Sequence, residues 1–382
     1  MKKIFVIIFG IIYLSFSVYN LIIPEKDFLE NENRYAKKMP EFSFSSLTDG
    51  KFTKDFEEYI TDKTAFRDFF ISLKSNLEKL SFKKENNGVY FASDGYLIQT
   101  YPGNFDENIV LNNLNAVNKL AEDKDLNVSF ALIPTAYEVL KDKLPMYSYN
   151  SYQVDLMEYT KENLNNVKFI NSLESLDKNK GEYIYYRTDH HQTANGSFIV
   201  YSDIMKALGM TPFSKNDFEI KTVADNFYGT TWSKSTVNTA GDKIIKYEPH
   251  FNVKYKVVYD LEKESDSLYE EKNIAIKDKY TYYLDGNHGI TTIKTEVLDG
   301  GKLVRENGKK LAVIKDSYAH SIIPFIANHY SEIVVFDLRY YNLSIPKYLK
   351  ENGISDVLFV YNTDNFLTDN NLNKISAYLQ GK

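Results

Sequence analysis

The segment Lys310-Leu-Ala-Val-Ile-Lys-Asp-Ser-Tyr-Ala-His-Ser-Ile-Ile-Pro-Phe-Ile-Ala327 decides the fold. Its apolar run stops at Asp316-Ser317 and gives way to a helical pattern, which predicts a strand, a turn and a helix. In an open α/β sheet, ligands gather at the carboxyl ends of strands, where the next helix presents free N–H groups and its positive dipole end. Ser317 falls at that spot. A serine there can be a nucleophile, because its own N–H and the helix start can hold the oxyanion formed when an acyl group is attacked. The commoner role of such a serine is a helix cap, a role we assign to Asp316.

A nucleophilic serine needs a base, and the candidate lies in Tyr183-Ile-Tyr-Tyr-Arg-Thr-Asp-His-His-Gln-Thr193. In an extended segment residues two apart face one way, so Asp189 and His191 would point together and His190 away. A carboxylate two residues from an imidazole can fix its tautomer. Asp189, His191 and Ser317 then form a triad in an order also found among unrelated hydrolases. The competing reading makes His190, His191 and Asp189 zinc ligands together with His288 or His320. No sequence spacing supports it, and no metal is expected.

Thr188-Asp-His-His191 and Lys315-Asp-Ser-Tyr-Ala319, with Asp337-Leu-Arg339 followed by Tyr340-Tyr341, resemble the DHHW family of extracytoplasmic proteins from low-GC Gram-positive bacteria. That family is similar to the alginate O-acetyltransferases, which use an SGNH-hydrolase-like Asp-x-His and Ser. The resemblance implies an α/β, SGNH-hydrolase-like fold with a mostly parallel sheet flanked by helices. It also implies O-acetyl transfer to a cell-surface or exported polysaccharide, with a membrane-bound O-acyltransferase as acyl donor. Gln192 stands where the family has Trp, which puts an aromatic wall of the substrate pocket in doubt. Arg339 follows a strand and either holds substrate or makes a loop salt bridge, while Tyr318, Tyr340 and Tyr341 are candidates to line a sugar cleft.

Along the chain, Ile4 to Ile23 is uncharged and long enough to span a bilayer. With Lys2-Lys3 before it and no obvious cleavage site, residues 1–24 read as a signal anchor, with the C-terminal body on the extracytoplasmic side of the cytoplasmic membrane. Residues 25–52 read as a membrane-proximal stalk or ordered arm, and residues 53–382 as the catalytic domain. Within it we expect amphipathic helices over 53–80, a hairpin near 88–99 and a helix over 108–123. Strands are expected at 128–133, 167–170, 311–314, 333–336 and 357–361, with a capped helix over 194–208. Residues 221–296, rich in Tyr, Thr, Val and Lys in short alternating runs, read as a β-rich insertion.

With 46 basic and 52 acidic residues and no basic cluster beyond Lys2-Lys3, a nucleic-acid partner is not expected. The absence of cysteine excludes disulfides and thiol catalysis. No cofactor is expected. Three functions remain: the acyltransferase, an esterase with the same triad, and a non-catalytic glycan-binding protein that keeps the fold. The intact triad separates the third from the others, and only the acceptor separates the first two.

Overall fold

The structure is a computed structural model that describes residues 2–32, 34–101, 103, 105–297 and 309–379. It divides into two units, Met1–Val89 with Thr230–Thr239 and Tyr90–Gly229 with Ala240–Lys382.

In the first unit, Lys2–Ile22 form helix α1, and its Lys3–Ile22 stretch is long and apolar enough to cross a membrane, with no residue buried. Lys51–Lys63 form α2 and Arg67–Leu80 form α3. The arm between α1 and α2 is ordered by charge. Arg34 holds Asp62 of α2 through both terminal nitrogens (2.8 and 2.7 Å) and Glu32 through Nε (2.6 Å), and Arg67 reaches Glu32 at 2.5 Å. Two-pronged guanidinium–carboxylate pairing fixes orientation as well as distance. Residues 53–89 thus belong with the N-terminal arm, although the sequence assigns everything after residue 52 to one domain.

The second unit is built on an eight-stranded sheet. In chain order its elements are α4 (Glu107–Leu120), β1 (Asn127–Ile133), α5 (Tyr152–Asn163), β2 (Lys168–Asn171), α6 (Ala194–Ala207), β3 (Phe218–Phe227), β4 (Asp242–Pro249), β5 (Val253–Tyr259) and β6 (Lys263–Ser265). There follow β7 (Ile290–Val297), β8 (Lys310–Lys315), β9 (Glu332–Phe336), α7 (Ile345–Asn352) and β10 (Asp356–Asn362). The sheet order is β6-β5-β7-β9-β8-β10-β1-β2. From β9 to β2 neighbouring strands are parallel, and β7, β5 and β6 continue the sheet antiparallel. Leu311 to Ile314, Ile333 to Phe336 and Val357 to Tyr361 are buried throughout, as strands covered on both faces require.

The β-rich stretch 221–296 does two things. β3 and β4 pair as a separate hairpin, whereas β5, β6 and β7 extend the main sheet. In β5 exposed Lys254 and Lys256 alternate with better buried neighbours. Half-exposed antiparallel strands at a sheet's end alternate in this way, which is why the segment reads as foreign to a parallel sheet. After β8 the chain makes a 3₁₀ turn, Ser317–Ser321, before a short helix, Ile323–Ile326, that has Pro324 in its first turn. Proline is accommodated there and not deeper in a helix, so the predicted single helix is broken in two.

Candidate active site

After β8 the chain passes to β9 on one side of it and then to β10 on the other, which opens a crevice at their carboxyl ends. Ser317 is the second residue beyond β8, after Asp316. Asp316 holds the turn: its Oδ1 accepts from the Tyr318 N–H (2.8 Å), and its Oδ2 accepts from the Asn362 N–H (2.8 Å), Asn362 Nδ2 (2.7 Å) and Asn365 Nδ2 (3.0 Å). The expected cap is therefore present and also clamps the end of β8 to that of β10. Burial raises the Asp316 carboxyl above its ordinary range, opposed by these hydrogen bonds. Among the described residues the Ser317 N–H has no acceptor.

His191 arrives on a loop that is tight, not extended. Tyr185 and Gln192 form an isolated antiparallel bridge, and the Tyr186 N–H donates to the His191 carbonyl (3.2 Å). Asp189 Oδ1 accepts from the His191 N–H (3.0 Å) and lies 2.6 Å from His191 Nδ1. The pair is thus made by an aspartate turn, not by strand alternation. His191 Nε2 lies 2.8 Å from Ser317 Oγ. The loop is fixed from behind by Asp242, which accepts from the N–H groups of Arg187 (2.9 Å) and Thr188 (2.7 Å) and from the Thr188 hydroxyl (2.5 Å). Gly229 closes over Asp189: a Cβ on it would stand 2.3 Å from both Cβ and Oδ2 of the aspartate.

Several expectations need correction. His190 does not point away from its neighbour, because the turn brings the two imidazoles together, with ring centres 3.8 Å apart and 37° between planes. Tyr318 lines no cleft. It is fully buried, and its hydroxyl donates to the His190 carbonyl. Tyr341 is also buried, against Phe336, while Tyr340 is exposed and lies under the Arg339 guanidinium. Arg339 makes the loop salt bridge, donating to both oxygens of Asp337 (2.8 and 2.6 Å) and to Asn287 (2.9 Å). Gln192 is interior, so its position is not a pocket wall, and neither end of its amide has a partner among the described residues.

The zinc reading loses its distant ligands, since His288 bonds Asp260 and Asp285 and His320 bonds Lys315. Asp189, His190 and His191 do bring ligand atoms within 4.8 Å of one another. Both nitrogens of His191, however, face Asp189 and Ser317, so an ion bound there would break that chain.

Sequence reasoning missed Tyr280. Its ring stacks on His191 (centres 3.7 Å apart, 11° between planes), and its hydroxyl donates to the Ser317 carbonyl (3.0 Å) and lies 3.0 Å from Ser321 Oγ. It therefore holds His191 and the Ser317 turn together. It also missed Asp278, whose carboxyl is pushed up by burial and then by the negative charge of Asp189. No motif marks either residue, because both come from the irregular segment between β6 and β7.

The fold and site define a mixed α/β protein with a Ser-His-Asp hydrogen-bond chain at the carboxyl edge of a mostly parallel sheet. The chain belongs to the DHHW protein family, whose profile matches residues 87–336. A DHHW family protein from Eubacterium siraeum has a similar structure, with TM-score 0.64 and 24% identity over 76% of this chain and 96% of that one. Bacillus cereus PatB1 with a sulfonyl adduct gives TM-score 0.62 and 22% identity over 75% and 98%. PatB1 without the adduct gives 0.62 and 22% over 73% and 97%. No curated protein matches the chain.

Proposed function

We propose that this chain is an SGNH-like acyl-transfer enzyme, an O-acetyltransferase of a cell-surface or exported polysaccharide, held by α1 at the extracytoplasmic face of the cytoplasmic membrane. The observation that carries the reading is the continuous chain from Asp189 Oδ1 through His191 to Ser317 Oγ, with spacings of 2.6 and 2.8 Å. Ser317 Oγ attacks the carbonyl carbon of the acyl donor as its proton passes to His191 Nε2. The donor's leaving group departs with that proton, leaving an ester on Ser317. A sugar hydroxyl then gives its proton to His191 and takes the acyl group, which restores the serine. Asp189 keeps the Nδ1 proton in place and stabilises the imidazolium. The unsatisfied Ser317 N–H is available to the oxyanion.

The sequence resemblance to alginate O-acetyltransferases supports the acetyl group and the polysaccharide acceptor. It also supports a membrane-bound O-acyltransferase as donor, because an enzyme outside the membrane has no cytosolic acyl-CoA. The sulfonyl adduct of PatB1 is a further support by analogy, since sulfonyl electrophiles are captured by activated nucleophiles. Tyr340, exposed beside the guanidinium of Arg339, is the substrate-facing aromatic in this reading. An esterase would use the same residues with water as acceptor.

The test is the mass of the full chain in detergent after exposure to p-nitrophenyl acetate or to a sulfonyl fluoride. One acetyl or sulfonyl group on the peptide containing Ser317 is expected. Modification elsewhere, or none, rejects the reading. Transfer of the acetyl group to an added oligosaccharide in preference to water identifies the transferase.

A further inference from the structure

Helix α3 leaves an apolar stripe in solvent. Phe66 at its N-cap and Phe69, Phe70, Leu73, Leu77 and Leu80 within it stand at positions i, i+3, i+4, i+7, i+11 and i+14, on one face, and are exposed by between 43% (Leu73) and 75% (Leu80). The far side of the helix is already used, with Arg67 and Ser75 buried. A folded domain seldom leaves so continuous an apolar face in water.

The end of α1 meets this stripe. Phe16 packs edge-on against Phe70 (6.2 Å), Tyr19 stacks on Phe66 (6.1 Å), and Asn20 Oδ1 accepts from the Ala65 N–H (2.7 Å). At a rise of 1.5 Å per residue, Phe16 lies about 9 Å along α1 from its Ile22 end. Where α1 spans a bilayer, Phe70 therefore sits below the headgroups, at about the 5–10 Å depth to which interfacial helices sink their apolar face. Apart from the buried and paired Arg67, the chain over 68–84 carries four lysines (Lys74, Lys79, Lys83, Lys84) against two acidic residues (Asp68, Glu78), which favours anionic headgroups.

We propose that α3 is a second membrane contact, lying in the bilayer interface beside the anchor with its apolar stripe among the acyl chains. The proposal rests on α1 being membrane-spanning, as the proposed function has it.

The chain has no cysteine, so single substitutions can carry a fluorophore without background. Full-length Ile8→Cys, Leu73→Cys, Leu77→Cys and Lys79→Cys would be labelled and placed in phosphatidylcholine–phosphatidylglycerol vesicles. Quenching by doxyl lipids and by aqueous iodide would then be compared. Labels at 73 and 77 should be quenched severalfold more by shallow doxyl lipid than by iodide, the label at 79 more by iodide, and the label at 8 by deep doxyl lipid only. If 8 responds to deep doxyl lipid while 73 and 77 respond to iodide, the anchor stands and the proposal falls. If 8 responds to iodide, the anchor reading itself falls and takes the proposal with it. Labels at 73 and 77 shielded from both quenchers, with energy transfer between copies, would mean that a second chain covers the stripe, which also overturns the proposal.

Discussion

Ser317 Oγ and His191 Nε2 stand 2.8 Å apart, so in the proposed reaction small displacements should matter more than lost contacts. Ser317→Ala and His191→Ala should each lower acetyl release by a factor on the order of 10³ or more, and adding Asp189→Ala to Ser317→Ala should cost little further, because members of a catalytic unit fail together. His190→Ala should be milder, since its ring only leans on His191 and the hydrogen-bond chain bypasses it. Gly229→Ala changes no functional group, yet its methyl would force Asp189 to move. We expect a loss of roughly 10²-fold, as a misplacement of about 1 Å can cause, together with a loss of about 1–3 kcal/mol in unfolding stability from the overpacking. Tyr280→Phe keeps the stacking and should cost less than Tyr280→Leu in steady-state hydrolysis. Equal losses would refute the stacking role. At Gln192 the direction reverses: Gln192→Leu removes an unpartnered buried amide and should raise the urea midpoint, by up to about 1–3 kcal/mol in stability.

At the scale of elements, two carboxylates tie the end of β8 to its neighbours. Asp316 joins β8 to β10, and Asp337, just past β9, bonds Lys315 Nζ (2.8 Å) as well as Arg339. Asp316→Ala would orphan several buried donors and should destabilise the second unit by at least about 2 kcal/mol in urea unfolding. Burial alone would raise the Asp337 carboxyl, but the Arg339 hydrogen bonds and the Lys315 charge outweigh it and hold the group below its ordinary value. A carboxyl depressed in the folded state adds stability above its unfolded pKa and loses it as pH falls through the folded value. The stability gap between the wild type and Asp337→Asn should therefore be full at neutral pH and shrink from about pH 4 downward. A gap that grows on acidification would contradict this sign.

For the whole molecule, the anchor and the site make one topological prediction. With Lys2 and Lys3 retained in the cytoplasm, protease added to intact protoplasts should remove the chain beyond α1. Protection of the C-terminal part would reverse the proposed sidedness and remove the need for an acyl donor that delivers across the membrane.

The sequence by itself determined the class of fold and the identity of the three residues in the hydrogen-bond chain. Buried parallel strands are apolar throughout, so β1, β8, β9 and β10 stand out as runs, and the family motifs mark Asp189, His191 and Ser317. Only the tertiary structure decided how those residues meet and what supports them. The loop carrying His191 is a turn because Asp242, 51 positions beyond His191 in sequence, ties down its backbone. Tyr280 and Gly229 reach the site from segments with no periodic signal, and the depth of Tyr318 and Gln192 depends on what covers them. Local pattern records which face of an element is apolar. Long-range packing and hydrogen bonding decide which polar residues that face ends up holding.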